Sequence, residues 1–350
     1  MIGQLPRCLK PWTNFEIDDG QDSWGAVRPC CWSLKKVGDL SSNNLMEIWN
    51  GPGFLEFRRR ILSGDLDGLC PETCPNLQPS ANETQIYLSG LVTSHRHNDF
   101  LNLKEVMQRR VELASLPVYM KVSPTLACNL RCVMCYQSHE ATTKLSDEML
   151  DQIIKWLPTM RLVRLQGGEI FASQSGLAFL QKIAETPVQP RLGLITNATF
   201  PIRGGLDLLD RLNLKWMICS LDASSPEKYA KIRIGGNWEA VTGNLDVLTG
   251  KARRRNGFQL FLSMTVMTIN MQEIQAFLEF AHRLKADAVI NPLNPDDGTA
   301  SLDPFSTRAD RDVLARNLQD GLDYARTMRM KTAVNTIKVM QDILRTASLD

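Results

Sequence analysis

The sequence contains no run of about 18 apolar residues, the length a membrane-spanning helix requires. Its opening, MIGQLPRCLKPW, shows neither an apolar h-region nor a cleavage signature, so no secretory signal is expected. Charge of one sign is also lacking: the net charge is +2 over 350 residues. That balance identifies no polyanionic partner, and neither nucleic acid nor membrane is expected as one. The short basic runs Arg58-Arg59-Arg60 and Arg253-Arg254-Arg255 read as solvated helix ends. A Walker loop, a dinucleotide fingerprint at a strand–helix turn and a serine elbow are all missing, which removes the commonest nucleotide-binding and hydrolase chemistries. Internal repeats and low-complexity segments are missing too.

What the sequence does have is cysteine, nine in all. With no export signal, they point to a reducing, cytoplasmic setting, where clustered cysteines are metal ligands rather than disulfides. The length suggests roughly two domains. Residues 1–76 hold Cys8, Cys30, Cys31, Cys70 and Cys74 around two short helical patterns. In the first, Leu45, Met46, Ile48 and Trp49 fit one face; in the second, after NGPG, Phe54, Phe57, Ile61 and Leu62 repeat near the 3.6 period. Residues 77–116 read as a bridging helical segment. From 117 to 350 six short apolar runs alternate with amphipathic stretches, one starting at Ser146 and others at about 174–185, 204–212, 238–252, 271–285 and 308–346, the last expected to be two helices. Ser146 is placed to cap the first, with Asp147 and Glu148 in its opening turn and Leu145 and Leu150 as a hydrophobic staple. Six strand–helix alternations predict a parallel sheet with right-handed crossovers, and since six are too few to close an eight-fold barrel, the sheet is either an open, partial barrel or doubly wound.

The stretch CNLRCVMC places Cys128, Cys132 and Cys135 at C-x3-C-x2-C directly after the first of those strands. A cubane cluster has four irons, each wanting a thiolate. Three cysteines leave one iron open to a substrate or cofactor. Zinc with a distant fourth ligand is the alternative, but zinc sites usually show paired C-x2-C halves. This motif, with Met134 at its hydrophobic position, resembles that of the radical SAM superfamily. Further resemblances follow in order: GGE (Gly167, Gly168, Glu169), TN (Thr196, Asn197), SLD (Ser220, Asp222), the segment around Arg233, and TVMTIN with Asn270.

The resemblance implies an α/β fold, a partial (β/α)6 TIM-like barrel. S-adenosylmethionine (SAM) would chelate the open iron. Its reductive cleavage would give a 5′-deoxyadenosyl radical that removes a substrate hydrogen atom, the hard chemistry belonging to the cofactors. The GGE, TN and SLD residues fall at the C-terminal ends of parallel strands, where ligands gather. Gly167 and Gly168 permit close backbone approach, and Glu169 can accept from an ammonium. Ser220 and Asp222, two apart, are expected to share a strand face and meet ribose hydroxyls, whereas Cys219 faces the helices. Arg233 resembles a family arginine that reaches the SAM carboxylate, a surface arginine being the alternative. Asn291 and Asn294 resemble positions facing adenine or substrate. Tyr136 and His139 fall near the expected active-site mouth. His95 and His97 read as a solvated loop.

The N-terminal segment resembles the SPASM or twitch extension of radical SAM enzymes, displaced ahead of the barrel: Cys8, Gly25-x4-Cys30, the L-x-E-I-W-N helix, the F-R-R-x-I helix, and Cys70-x3-Cys74. The long Cys8–Gly25 spacing suggests an insertion around QDSW. Cys8, Cys30, Cys70 and Cys74 would hold one auxiliary [4Fe-4S] cluster, the second in the chain, with a structural zinc as the alternative. Cys30 satisfies the glycine spacing, which leaves Cys31 over, a candidate hydrogen donor; which of the two is the ligand stays open. Trp12, Trp24 and Trp32 are expected to form the cluster's apolar shell. An auxiliary cluster with full ligation can exchange an electron, which suits an oxidation, a crosslink or an epimerisation. The expected substrate is a peptide or protein, with a small polyol or amino sugar as the alternative; an acidic pocket would favour the amine and a long cleft the peptide. A flavodoxin- or ferredoxin-type donor would supply electrons. A non-catalytic iron–sulfur redox protein is the remaining reading.

Overall fold

The computed structural model describes residues 5–17, 25–71, 74, 87, 96–135, 144–199, 202–254, 257–293 and 299–346. Its centre is one sheet of nine strands. Six of them run parallel and in sequence order: β4 (Tyr119–Val122), β5 (Leu162–Leu165), β6 (Arg191–Thr196), β7 (Leu214–Ser220), β8 (Gln259–Val266) and β9 (Asp287–Pro292). These are the six expected strands, and the crossovers carry the expected helices. Ser146 accepts from the Met149 N–H at the start of the helix Asp147–Trp156, and both Leu145 and Leu150 are buried beside it. The last amphipathic stretch divides into Arg308–Thr327 and Lys331–Thr346.

Three strands precede the six. β1 (Asn14–Ile17) pairs in parallel with β4, while β2 (Ala26–Arg28) and β3 (Gly38–Asp39) continue the sheet antiparallel beyond it. The cysteine-rich segment is thus hydrogen-bonded into the barrel sheet, Asn14 opposite Tyr119 and Ile17 opposite Val122. Pleating gives the sheet two unlike faces. Phe15, Ile17, Met120, Val122, Val163, Leu165, Leu192, Leu194 and Met217 are fully buried on the outer one, packed under the helices in a core typical of parallel sheets. The inner face carries the alternate residues, and several of these are polar.

The helices Leu45–Trp49 and Pro52–Ser63 form as their periodicity predicts, the first under a complete Asn44–Glu47 capping box. Two details differ. Met46 is 46% exposed, because five residues make little more than one turn and only Leu45, Ile48 and Trp49 turn inward. Arg58 is not solvated but fully buried. Its guanidinium lies 4.4 Å from the Trp49 ring and donates to the carbonyls of Pro11 and Val111, each at 2.9 Å. The basic run sits in mid-helix, so successive arginines point in different directions: Arg58 inward, Arg60 outward to Asp65. Arg253 and Arg254 are exposed as expected.

The bridging segment supplies the helix His97–Met107, which ties the N-terminal part to the barrel. Asn102 donates to the Trp12 carbonyl, Glu105 accepts from the backbone of Ala114 and Ser115, and buried Asp99 pairs with Arg161 at 3.6 Å. Replacing Arg58 by Met is expected to strand two buried carbonyls and cost about 3 kcal/mol, read by chemical denaturation of the iron-loaded protein. Arg59→Met, on the exposed side of the same helix, should stay within about 0.5 kcal/mol.

Candidate active site

β4 delivers the chain into residues 123–127 and then into the loop that carries Cys128, Cys132 and Cys135. That loop has little regular structure of its own, so its shape comes from neighbours. The backbone N–H groups of Arg131 and Val133 donate to the carbonyls of Ile234 and Ile232 at 2.9 and 3.0 Å. The N–H groups of Gly168 and Glu169 donate to the carbonyls of Thr125 and Ala127 at 2.9 and 2.8 Å. The GGE turn is therefore the floor under the cysteine loop. Gly167 has φ +131°, which a side chain rarely adopts, and a Cβ at Gly168 would run into the carbonyl oxygens of Leu126 and Ala127. Both glycines admit backbone, here the chain's own.

Glu169 is fully buried. Its carboxylate accepts from the Thr196 hydroxyl at 2.9 Å, the Asn197 N–H at 2.6 Å and the Phe171 N–H at 3.1 Å, which joins the ends of β5 and β6. Burial pushes its pKa up, against those same hydrogen bonds and the charge of Arg233. Asn197 carries the connection onward: its Nδ2 donates to Asn129 Oδ1 at 3.0 Å and lies 3.7 Å from the Cys128 sulfur.

Arg233 is buried rather than on the surface. Its guanidinium donates to the Cys132 sulfur at 3.5 Å and pairs with Asp222, and its Nε has no hydrogen-bond partner. Asp222 is the residue whose placement departs from expectation. The alternation that put it on one face with Ser220 stops where β7 stops, at Ser220, and Asp222 takes φ +61°. Its carboxylate turns inside to Arg233 and to the Thr265 N–H, at 2.7 Å from the latter. Asn270 is fully buried and binds the Asp222 carbonyl, the Thr265 carbonyl and the Met267 N–H, stapling the ends of β7 and β8. Ser220 stays half-buried on the inner face opposite Ser263, and Asn291 reaches that serine at 3.4 Å. Met134 packs with Ile232, Met267 and Leu293 in a small apolar cluster at the strand ends. Cys219 is buried in the core as expected. Tyr136, His139, Asn294, His95, Trp24 and the QDSW stretch lie outside the described residues.

All nine cysteines are thiols outside any disulfide. Cys128 is exposed and Cys132 and Cys135 half-buried, with N–H donors from Asn197 and Leu130 directed at the Cys128 sulfur and one from Arg233 at that of Cys132. Such donors stabilise cluster thiolates and tune their potential. In the N-terminal part Cys8, Cys30 and Cys74 are buried and Cys70 half-buried, while Cys31 is exposed. Leu34 donates to the Leu69 carbonyl at 2.9 Å, which brings the loop after Cys30 to the segment before Cys70. Among the described residues no three His, Cys, Asp or Glu groups converge as a single metal ion would require; thiolates of a four-iron cluster bind separate irons and stand further apart. The thiols of Cys128, Cys132 and Cys135 lie close enough to act on one another, as do those of Cys8 with Cys30 and of Cys70 with Cys74, and thiolate donors suit iron–sulfur clusters. Trp12 is fully buried near Cys8, but Trp32 is 42% exposed: its loop turns outward after Cys30, so it encloses nothing. A cleft of about 410 Å³ lined by Phe258, Arg253, Lys285, Asp287 and Arg329 opens at the opposite, N-terminal ends of β8 and β9 and takes no part in this site.

The inner sheet face holds residues that sequence reasoning passed over: Asn14, Glu16, Lys121, Ser123 and Arg164. Their signal was present, since charges inside buried parallel strands are exceptional.

The fold and the two cysteine centres define a partial parallel barrel with a cluster loop at its mouth. Residues 122–281 match the model of the radical SAM superfamily, and residues 8–75 match that of the SPASM iron–sulfur cluster-binding domain. The chain thus carries a radical SAM domain with a SPASM domain ahead of it; S-adenosylmethionine and [4Fe-4S] clusters are the cofactors that go with these domains. Among curated proteins it is similar to the GTP 3′,8-cyclase of Hydrogenovibrio crunogenus, 30% identical over 171 residues, 46% of this chain and 50% of that one. It is also similar to molybdenum cofactor biosynthesis protein 1 of Drosophila melanogaster, 25% identical over 181 residues, 48% of this chain and 30% of that one. The matches span half or less of those relatives. In fold it resembles Streptococcus suis SuiB solved with bound S-adenosylmethionine, with a TM-score of 0.52, 14% identity, and coverage of 72% of this chain and 60% of that one. No helix of the described residues is long and apolar enough to cross a membrane.

Gly168→Ala is expected to push the GGE turn off the cluster loop. Iron quantitation after anaerobic reconstitution should then fall by about four per chain, with the N-terminal iron retained.

Proposed function

We propose that this radical SAM enzyme is an oxidoreductase or epimerase whose substrate lies on the inner sheet face, between the cluster loop and the SPASM cysteines. When bound, S-adenosylmethionine supplies a 5′-deoxyadenosyl radical that takes a substrate hydrogen atom, and an auxiliary [4Fe-4S] cluster supplies one-electron redox. The observation that carries this reading is that β1, from the segment of the second cysteine set, pairs in parallel with β4, the strand that leads into the first. Asn197 and Arg233 hold the first at the strand ends. Cys30 and Cys31 both feel the charge of Glu16, an inner-face residue of β1.

In this reading Cys128, Cys132 and Cys135 hold the SAM cluster. The GGE turn, Thr196, Asn197, Arg233 and Asn270 keep its loop in place, and Met134, Ser220, Asp222 and Asn291 shape the cofactor's surroundings. Cys8, Cys30, Cys70 and Cys74 hold the auxiliary cluster, the buried position of Cys30 and the exposure of Cys31 favouring Cys30 as ligand. Residues 1–76, 77–116 and 117–350 then divide the work into electron handling, fastening and radical generation, and a flavodoxin- or ferredoxin-type protein donates the electron. The substrate proposed is a peptide or protein, as for many enzymes with this extension. A nucleotide is the second reading, favoured by the 30% identity to a GTP 3′,8-cyclase over about half of each chain. Basic residues on the inner face weigh against an amino sugar, whose ammonium they would repel.

Anaerobically reconstituted protein is expected to hold about eight irons per chain and, once reduced, to convert S-adenosylmethionine to 5′-deoxyadenosine. About four irons plus one zinc would rule out the auxiliary cluster, and absence of deoxyadenosine with both clusters in place would rule out the radical chemistry. Cys30→Ala should lose about four irons, and Cys31→Ala none. Deuterium transfer into deoxyadenosine from labelled peptides or labelled GTP separates the two substrate readings.

A further inference from the structure

Adjacent strands β1, β4 and β5 place a polar patch on the inner face. Parallel pairing sets Asn14 beside Tyr119, and Glu16, Lys121 and Arg164 in one row. Lys121 and Glu16 answer one another at 3.2 Å. Besides Glu16 Oε2, which has no hydrogen-bond partner and is met only by the charge of Lys121, the patch has three other buried atoms with no hydrogen-bond partner: Asn14 Nδ2, Ser123 Oγ and Arg164 Nε. Asn14 is 4% exposed and Ser123 0%, so water is a poor substitute, and an unmet buried donor is unfavourable. Two of the three atoms can only donate, and the hydroxyl can do so. Arg164 has no carboxylate within ion-pair reach among the described residues, and the one carboxylate in the row already serves Lys121. What would complete this patch is an acceptor with negative charge.

We propose that Lys121, Arg164, Asn14 and Ser123 bind an anionic group of the substrate, a carboxylate or a phosphate. This rests on the radical SAM reading above and names the chemistry of its substrate. The anchor's position suits that task. A Cβ at Gly167 would stand 3.5 Å from that of Ser123, so the upper end of the patch touches the GGE turn. Glu16 at the lower end belongs to β1, the strand that the cysteine-rich N-terminal segment lends to the sheet. A substrate held by its anion on this wall lies between the two cysteine centres. The planar guanidinium beside an ammonium matches the paired oxygens of either anion.

The test is calorimetric titration of the anaerobically reconstituted protein, with S-adenosylmethionine present, using inorganic pyrophosphate and glutarate as probes. At least one should bind, more weakly as salt rises, with affinity reduced about tenfold or more in Arg164→Gln and partly restored in Arg164→Lys. Pyrophosphate alone would indicate a phosphorylated substrate and glutarate alone a carboxylate. Binding of neither, or equal binding to Arg164→Gln, overturns the anchor. Deoxyadenosine formation is measured in the same samples. If it proceeds, such a failure belongs to the anchor alone; if wild-type protein forms none, the radical SAM reading has failed.

Discussion

The site depends on one buried carboxylate. Glu169 sits in a dry interior, where a charge is tolerable only when donors surround it. Those donors are the hydroxyl of Thr196 and the backbone of Asn197 and Phe171. Meeting them fixes the end of β5 against the end of β6. The backbone of the same turn supports residues 125–127, and Asn197 reaches the first cysteine of the loop. A loop without regular structure thereby acquires a defined shape, because rigid strand ends hold it from below and residues 232–234 hold it from the side.

The same logic works at the other edge of the sheet. A small cysteine-rich segment cannot bury much apolar surface by itself. Here it gains order by lending β1 to the barrel and by seating Arg58, Trp12 and Trp49 against residues 102–115. The chain's two cysteine centres are consequently parts of one packed body, and the inner face of β1 belongs to both.

Much of this was legible in the sequence. Six alternations of apolar and amphipathic segments specify six strands, since their periods of 2 and 3.6 differ plainly. Cysteine spacing points to the two iron–sulfur domains, and both are matched by their family models. The misreadings share one cause. Composition points Arg58 to solvent, parity puts Asp222 on a strand face, and neighbourhood in sequence puts Trp32 in a cluster shell. Each was overruled by a local backbone direction: a mid-helix position, a left-handed φ, an outward loop. Residue type carries no record of such directions.

By itself the sequence determined the family resemblance: the cysteine spacings, and the turn of glycines and acid that goes with them, in the two stretches that the domain models match. These are matters of short-range spacing, within reach of a few residues of chain. Only the tertiary structure decided that Glu169 and Asn270 are spent on holding strand ends, that β1 completes the barrel edge, and that Asn14, Ser123 and Arg164 stand together with donors unmet. Those facts depend on which strands lie side by side and in which register, and register is set by burial over the whole sheet.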